Sequence, residues 1–250
     1  MSIAGVVRGA GIGHARAVEV RPGASATPMS SAELRALDLR AEVEFGLPGL
    51  VLMEHAGAGA ARELLAEFER LGASNRTVGV LCGPGNNGGD GAVVARWLAA
   101  AGVAVRVFGL VPRETLRSAA RLEFDILARS GIPVLEAPSS EELELALHPC
   151  SVLVDALLGT GASGPPREPC AAWIRALERR RRAGAFVAAL DLPSGFDADT
   201  GQAGEPAVRA ELTLSFAAPK LGFARPGAEA WTGRIVVLPI GVPGSAYRRS

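Results

Sequence analysis

Three glycine-rich segments contain most of the side chains that can bind a ligand or transfer a proton. They read GPGNNGGD after Cys82, GTGASGPP after Leu158 and DLPSGFD after Leu190, and each follows a short apolar run. The oxygen-bearing side chains in or beside them are those of Asn86, Asn87, Asp90, Asp155, Asp191 and Ser194. Carboxylate, amide and hydroxyl oxygens suit hard cations rather than zinc. Because the carboxylates are few, a monovalent ion is at least as plausible a ligand as calcium.

The glycine spacing alone is typical of a dinucleotide-binding turn, but it occurs twice. The pattern G-x-G-x-x-G begins at Gly83 and again at Gly159. A dinucleotide fingerprint also needs an acidic residue about 20 residues further on. The strand expected after the first segment, VAVRVFGL, contains no acid, and Asp191 comes too late after the second. A phosphate-binding Walker loop needs Gly-Lys-Ser/Thr, whereas Gly88 is followed by Gly89 and then an acid. Both standard nucleotide motifs are therefore disfavoured.

The pattern of apolar residues predicts strands that alternate with helices. Ser30 and Glu33 have the spacing of a capping box at the start of a helix. After a second helix, short β-rich runs alternate with helical segments, which is typical of βαβ units. The crossovers of such units are right-handed, so we expect one α/β domain with a mostly parallel central sheet and helices on both faces. The helix after the first glycine-rich segment is expected to begin near Asp90.

All three glycine-rich segments are expected at the carboxyl ends of strands, where open parallel sheets bind their ligands. Glycines there allow close approach of the backbone and present N–H groups to a ligand. Glycine also occurs at such turns for steric reasons alone, and Asp155 or Asp191 can simply cap a turn. Three polar segments at one sheet edge nevertheless favour a binding site.

Composition argues against several other classes of function. The chain of 250 residues has 26 basic and 26 acidic residues, so no overall charge favours nucleic acid or an anionic membrane. No apolar run approaches the roughly 20 residues of a membrane-spanning helix. Three dispersed cysteines and three dispersed histidines form no disulfide framework or zinc motif and indicate a reducing, cytoplasmic location. Residues 1–27 are predicted to be a flexible leader or a loosely docked arm before a domain over residues 28–250.

Four motifs occur in an order that resembles one known family. GPGNNGGDG, VDALLGTG, ALDLPSGFDADTG and LTLSFAAPKLGF are similar to segments of the YjeF N-terminal domain family, which includes NAD(P)H-hydrate epimerases. The resemblance covers roughly residues 28–240. It implies a three-layer αβα Rossmann-like fold and a homodimer. It also implies interconversion of the R and S forms of hydrated NADH and NADPH (NADHX and NADPHX), a step in the repair of these damaged cofactors.

The resemblance further implies a role for each matching residue. The first substrate-binding segment comprises Asn86, Asn87, Gly88, Gly89 and Asp90. The segment that wraps the substrate's phosphates comprises Gly159, Thr160, Gly161, Ala162, Ser163, Gly164 and Pro165. One potassium ion (K⁺) per subunit is bound by Asn87, Asp155 and Ser194, and Asp191 contacts the substrate. Lys220 matches a family position near the site. His55 replaces the family's asparagine, either as a tolerated change at the pocket rim or as a change in polarity near the ligand.

The hydrated cofactors that the resemblance implies carry a hydroxyl group on C6 of the reduced nicotinamide ring. Inversion at this carbon requires the C6–O bond to break and re-form. A positioned carboxyl group can act as acid and then as base, and Asp191 is the candidate. The resemblance also implies that an ADP- or ATP-dependent dehydratase consumes the S form. This dehydratase is expected to be a separate protein because the chain ends at Ser250. Two alternatives remain open. One is a non-catalytic nucleotide-binding or scaffold module of the same fold, and the other is an NAD(P)-dependent oxidoreductase, which the missing ribose acid disfavours.

Overall fold

The computed structural model describes residues 18–72, 76–162 and 164–248. Its centre is a sheet of eight strands, ordered β1-β8-β7-β6-β5-β2-β3-β4, in which all the pairs formed by described residues are parallel. The strands are β1 (Glu19–Val20), β2 (Thr77–Cys82), β3 (Ala104–Gly109), β4 (Val134–Glu136), β5 (Val152–Ala156), β6 (Phe186–Leu190), β7 (Leu212–Phe216) and β8 (Arg234–Leu238). The expected parallel α/β sheet is confirmed.

Helices cover both faces of this sheet. They are α1 (Ser31–Phe45), α2 (Gly49–Arg70), α3 (Asn86–Ala100), α4 (Ser118–Arg129), α5 (Ser140–Leu147), α6 (Cys170–Arg182) and the short α7 (Glu229–Thr232). Residues of α1 to α4 share one hydrophobic core with the sheet, and residues of α5 and α6 share the other. Val80 and Leu81 lie in different cores because successive strand residues point to opposite faces. The architecture therefore has three layers. In the part of the chain that the structure describes, no helix is long and apolar enough to cross a membrane.

Local sequence explains where the first helices begin and end. The N–H of Glu33 donates to Ser30 Oγ at 3.2 Å, and the Glu33 carboxylate accepts from the Ser30 N–H at 2.8 Å, so the predicted capping box is confirmed. The expected start of α3 near Asp90 is wrong, because this helix begins at Asn86. Glycine inside its first turns serves packing, since a Cβ atom on Gly89 would lie 2.5 Å from the sulfur of Met53.

The last part of the predicted leader contacts the domain, and the division at residue 28 stays a prediction. Strand β1 pairs with Val236–Val237 of β8 at the edge of the sheet. Arg21 then donates to both carboxylate oxygens of Glu63 on α2, at 2.6 and 2.7 Å. Strand addition and a two-pronged ion pair attach this segment to the domain. The rest of the predicted leader, residues 1–17, lies outside the described residues.

The order of the strands reverses between β2 and β5. From β2 the chain runs outward through β3 and β4, then returns to β5 and continues through β6, β7 and β8 towards the other edge. Leu81 of β2 lies opposite Asp155 of β5. The crevice beyond the carboxyl ends of these two strands is the topological switch point, where open α/β sheets bind ligands. The first two glycine-rich segments follow these two strands, and the third follows the neighbouring β6.

Candidate functional site

Two glycines allow the loops after β2 and β5 to touch. A Cβ atom on Gly83 would lie 1.8 Å from the carbonyl oxygen of Leu157, and one on Gly88 would lie 1.9 Å from the carbonyl oxygen of Gly83. Both oxygens belong to backbone, which cannot rotate aside as a flexible side chain can. A Cβ atom on Gly85 would meet nothing within 4 Å. Gly83 and Gly88 are therefore required for the approach of backbone to backbone at the switch point.

Gly83→Ala is expected to destabilise the fold by about 1–3 kcal/mol or more, because the added methyl group overpacks fixed backbone. Thermal unfolding followed by circular dichroism measures this loss as a fall in Tm of roughly 2–4 °C per kcal/mol for a domain of this size. The matched control is Gly85→Ala, which should stay within about 0.5 kcal/mol of the wild type. Equal melting temperatures for the two variants would contradict the steric account.

Asn87, Asp155 and Ser194 come together through the backbone of Leu158. The Nδ2 atom of Asn87 donates to the Leu158 carbonyl oxygen at 3.0 Å, and the Leu158 N–H donates to Ser194 Oγ at 2.9 Å. The hydroxyl and the N–H of Ser194 each donate to Asp155 at 2.7 Å. The Oδ1 atom of Asn87 is buried and has no hydrogen-bond partner among the described residues. The three residues that the resemblance implies as potassium ligands thus lie in one hydrogen-bond network. The Oδ1 atom of Asn87 is the oxygen of this network that accepts no hydrogen bond from the described residues.

Asp155 is completely buried on β5. Burial raises its pKa to about 6, although hydrogen bonds from Ser194 and from the Leu157 N–H act in the opposite direction. Its carboxylate forms no ion pair with a lysine or arginine in the described parts of the chain. A buried carboxylate of this kind is stabilised by any cation that lies next to it.

Asp191 is held just beyond β6 by its own backbone and by a buried lysine. Its φ of 64° lies in the left-handed region, which is uncommon for residues with side chains and frequent at functional sites. Its Oδ1 atom forms an ion pair with Lys220 Nζ, and its Oδ2 atom accepts from the Thr160 N–H at 3.4 Å. Lys220 is only 1 % exposed and also donates to the carbonyl oxygens of Phe216 and Ala218. These contacts fix the Asp191 carboxylate and the Lys220 ammonium against each other at the end of β6.

Two further carboxyl groups lie within electrostatic reach of this ion pair. Asp90, in α3, is 9 % exposed. Its pKa is raised well above the ordinary value, first by burial and then by the negative charges of Asp191 and Asp38. Burial and the charge of Asp191 also raise the pKa of Asp38 to about 6, although this residue keeps contact with solvent on α1. Lys220 acts in the opposite direction on both groups. The site therefore contains three carboxyl groups and one buried ammonium.

Sequence reasoning assigned no role to Asp38, although its position carried a signal. The buried residues Leu34 and Ala41 stand four residues before it and three after it, so the helical repeat turns this acid towards the domain. One turn earlier on α1, Arg35 Nη1 donates to the carbonyl oxygen of Thr160 at 3.5 Å. Helix α1 thus forms a wall of the site beside the second glycine-rich segment.

The second glycine-rich segment begins inside the site and ends at the surface. A Cβ atom on Gly159 would lie 3.2 Å from that of Asn87 and 3.6 Å from Asp191 Oδ2. The tip of the segment is exposed at Gly161, Ala162, Gly164 and Pro165. Its Ser163 lies outside the described residues. Asn86 is exposed at the start of α3, where the first N–H groups of a helix have no intrahelical acceptor and can bind an anion.

His55 lies on an exposed part of α2. Its Nδ1 atom donates to the carbonyl oxygen of Val51 at 2.8 Å. Its ring lies against Gly241, where an added Cβ atom would be 3.3 Å from Nδ1. Both contacts are with backbone or glycine. Within the described residues, no hydrogen bond joins this side chain to the three glycine-rich segments. Both alternatives for His55, a tolerated change at the pocket rim and a change in polarity near the ligand, stay predictions.

The fold and the site together define a class of protein. Two glycine-rich loops meet at the switch point of a parallel sheet, which is where Rossmann-like proteins bind a small ligand. A buried acid–lysine pair lies beside them. The family model described as "YjeF-related protein N-terminus" matches residues 49–222, and the chain belongs to this family.

Several known proteins are similar to this chain over most of its length. The protein of Rhodopirellula baltica named NAD(P)H-hydrate epimerase is 39 % identical over 227 residues, which cover 90 % of this chain and 89 % of that protein. The bifunctional NAD(P)H-hydrate repair enzyme Nnr of Pyrobaculum aerophilum is 44 % identical over 87 % of this chain, but this chain spans only 42 % of that protein. The crystal structure of yeast YNL200c is similar with a TM-score of 0.77 and 25 % identity, covering 88 % of this chain and 91 % of that one.

Proposed function

We propose that this protein is an NAD(P)H-hydrate epimerase, which interconverts the R and S forms of NADHX and NADPHX. The observation that carries the proposal is the Asp191 carboxylate, fixed by the buried Lys220 at the carboxyl end of β6, where a sheet of this kind takes its ligand. The alignment with epimerases named as such, over most of their length, supports the same reaction. Hydration puts a hydroxyl group on C6 of the reduced nicotinamide ring, and the reaction inverts that carbon.

The loops around the crevice offer contacts for a dinucleotide. The start of α3 at Asn86 presents free N–H groups, and the exposed glycines Gly161 and Gly164 present backbone without side-chain bulk. Arg35, bonded to Thr160, adds positive charge beside this segment. We place the phosphates of the substrate along this exposed backbone and the nicotinamide ring deeper, towards Asp191.

A potassium ion fits the network formed by Asn87, Asp155 and Ser194. Among the described residues, the Oδ1 atom of Asn87 has no hydrogen-bond partner and no lysine or arginine pairs with the buried carboxylate of Asp155. Such oxygen donors suit a hard cation. When bound, the ion would supply positive charge that holds the loops together and offsets the phosphates of the substrate. In the described parts of the chain, no group of three or more His, Cys, Asp or Glu side chains is arranged to hold a metal, so the ligand set depends on the amide and the hydroxyl.

Potassium is expected to stabilise the wild type. At a concentration 100 times its Kd, a ligand that binds only the folded state adds about 2.7 kcal/mol, which thermal unfolding in potassium or tetramethylammonium chloride measures. Asn87→Ala should remove this potassium-dependent rise in Tm, because it deletes the free oxygen ligand. Asn86→Ala, one residue away and exposed, is the matched control and should keep the rise. A rise that persists in Asn87→Ala would contradict the assigned ligand.

Asp191 would act in its carboxylate form. When the lone pair of the ring nitrogen forms a C=N bond and the C6–O bond breaks, the ring becomes a cation, which a fixed carboxylate stabilises. Water then adds to the opposite face of C6, and Asp191 accepts the proton that this water loses. In this role Asp191 has no proton to give, so the departing hydroxyl group needs a proton from a different donor.

Epimerisation makes both the R and the S forms of NADHX and NADPHX available to an enzyme that uses only one of them. We propose that the S form passes to an ADP- or ATP-dependent dehydratase. Relatives named bifunctional repair enzymes, of which this chain spans about two-fifths, support a second repair activity that works with this one. Homodimer formation and a cytoplasmic location remain predictions from the resemblance and the composition.

A coupled assay tests the proposed function. Purified protein is mixed with R-NADHX, a dehydratase specific for the S form and its nucleotide, and the recovery of NADH is followed by absorbance. The proposal predicts faster recovery than spontaneous epimerisation allows. Recovery at the same rate with and without the protein would refute it.

A further inference from the structure

Asp90 is a buried acid without a structural partner. It lies in the first turns of α3, is 9 % exposed, and its carboxyl group has no hydrogen bond or ion pair within the described residues. By contrast, Asp155 and Asp191 each accept several hydrogen bonds or an ion pair. Asp90 therefore does nothing in the resting structure that requires its charge.

The charges around Asp90 oppose its ionisation. The titratable groups that face it are carboxyl groups from three other elements or segments, a buried thiol and one ammonium, namely Asp38, Glu123, Asp191, Cys82 and Lys220. The single positive charge, on Lys220, is already paired with Asp191. Burial and the remaining negative charges hold the pKa of Asp90 well above its ordinary value. Asp191 is thus paired with a buried ammonium, whereas around Asp90 burial and like charges outweigh that ammonium. Different environments of this kind are how active sites separate the roles of base and acid.

We propose that Asp90 is the proton donor for the departing hydroxyl group and that Asp191 is the proton acceptor for the incoming water. The proposal rests on the proposed function and assigns a catalytic role to a second residue of the same site. Asp90 comes from α3 beside β2, and Asp191 comes from the end of β6, so the two carboxyl groups approach the crevice from different elements.

The proton and electron balance of this step closes without another reactant. As the nitrogen lone pair forms the C=N bond, the electron pair of the C6–O bond leaves with the oxygen, which takes the Asp90 proton and departs as water. A second water adds to the opposite face of C6 and gives one proton to Asp191, while the C=N electrons return to nitrogen. Transfer of that proton back to Asp90, directly or through solvent, resets the site. Reaction in the opposite direction uses the same two groups with their roles exchanged.

Inversion of configuration is the reason for requiring two groups. The departing and entering oxygens lie on opposite faces of the ring, so a single fixed carboxyl group cannot reach both. Glycosidases that invert configuration solve the same problem with an acid on one face and a base on the other. A site with Asp90 and Asp191 on separate elements has the components of that arrangement.

Asp90→Asn tests the assignment. The matched control is Glu123→Gln, which also removes a buried carboxyl group whose pKa is raised by burial, but one that is ion-paired with Arg96. Initial rates of epimerisation from pure R-NADPHX are measured by chiral separation, and NADPH binding is measured by fluorescence. The expected result is a kcat lowered by about 10²- to 10⁴-fold in Asp90→Asn, with NADPH affinity unchanged and Glu123→Gln near wild type. Near-normal turnover in Asp90→Asn overturns the role of Asp90 and leaves the proposed function standing, whereas an inactive wild type overturns both.

Stability provides a second readout that does not depend on activity. An acid whose pKa is raised by folding keeps its proton longer in the folded state, so the stability of the wild type should fall as the pH rises above the ordinary range for an aspartate. The Asp90→Asn variant has no carboxyl group to ionise at this position, so it should not lose stability in this way. Its Tm should equal or exceed that of the wild type at alkaline pH. A variant that unfolds or melts well below the wild type at every pH would show that Asp90 makes an essential ionic contact, which overturns the assignment.

Discussion

Asp191→Asn is expected to lower kcat for epimerisation by about 10²- to 10⁴-fold, the usual contribution of a positioned acid or base. The asparagine keeps the size of the side chain and one oxygen acceptor, but it cannot accept a proton or carry the charge that stabilises the ring cation. NADPH affinity should change little, because the glycine-rich loops and the start of α3 remain in place. Chiral separation of the R and S forms over time measures the rate, and fluorescence titration measures the binding.

The matched control is Asp197→Asn, six residues further along the same loop. The Oδ1 atom of Asp197 accepts from the N–H groups of Asp199 and Thr200 at 3.0 and 2.7 Å, and an asparagine oxygen can keep both bonds. This variant should retain wild-type turnover. If Asp191→Asn turned over as fast as Asp197→Asn, Asp191 would have no catalytic role. A binding or scaffold module of the same fold would then be the better explanation of the site.

Lys220→Met is expected to destabilise the fold by about 3–5 kcal/mol, the cost of leaving a buried charge without its partner. Lys220 is almost completely buried and is ion-paired with Asp191, and its ammonium also satisfies the carbonyl oxygens of Phe216 and Ala218. Methionine fills similar space but satisfies none of these groups. At roughly 2–4 °C per kcal/mol, the fall in Tm should be of the order of 10 °C. Activity should also fall, because Asp191 would lose the ion pair that fixes its carboxylate at the site.

A double-variant cycle isolates the ion pair from the loss of packing. Adding Asp191→Asn to Lys220→Met removes the uncompensated charge, so the double variant should be more stable than Lys220→Met alone. Urea unfolding of the wild type, both single variants and the double variant gives the coupling between the two side chains. Strictly additive losses would contradict the account, since they would mean that Lys220 and Asp191 do not stabilise each other.

Much of the fold follows from local patterns that a single sequence displays. The capping box of Ser30 and Glu33 and the β-rich run of Thr77–Cys82 appear in the structure as the patterns indicate. The start of α3 was harder to predict, because glycines ordinarily disfavour a helix interior. They are accepted here because side chains such as Met53 approach the helix too closely for a Cβ atom. Strand β1 was missed because two residues give no periodic signal, and their pairing with β8 is long-range.

The candidate site was only partly visible in the sequence. Residues at the ends of neighbouring strands, such as Asp155 and Ser194, must lie close together once the sheet is parallel, and they do. The acid–base environment was not visible in this way. Lys220 belongs to the segment after β7 and Asp38 to a helix before the sheet, so only the folded chain shows that both lie near Asp191. Sequence reasoning gave Asp191 both proton transfers, and the pairing with Lys220 leads us to divide them between Asp191 and Asp90.

The most direct test of the central claim follows both epimers separately. Pure R-NADPHX and pure S-NADPHX are each incubated with the purified protein, and the two forms are resolved by chiral separation at successive times. The account predicts that both reactions reach the same ratio of epimers, from opposite sides, much faster than in buffer or with Asp191→Asn. Time courses that match buffer alone in both directions would contradict it.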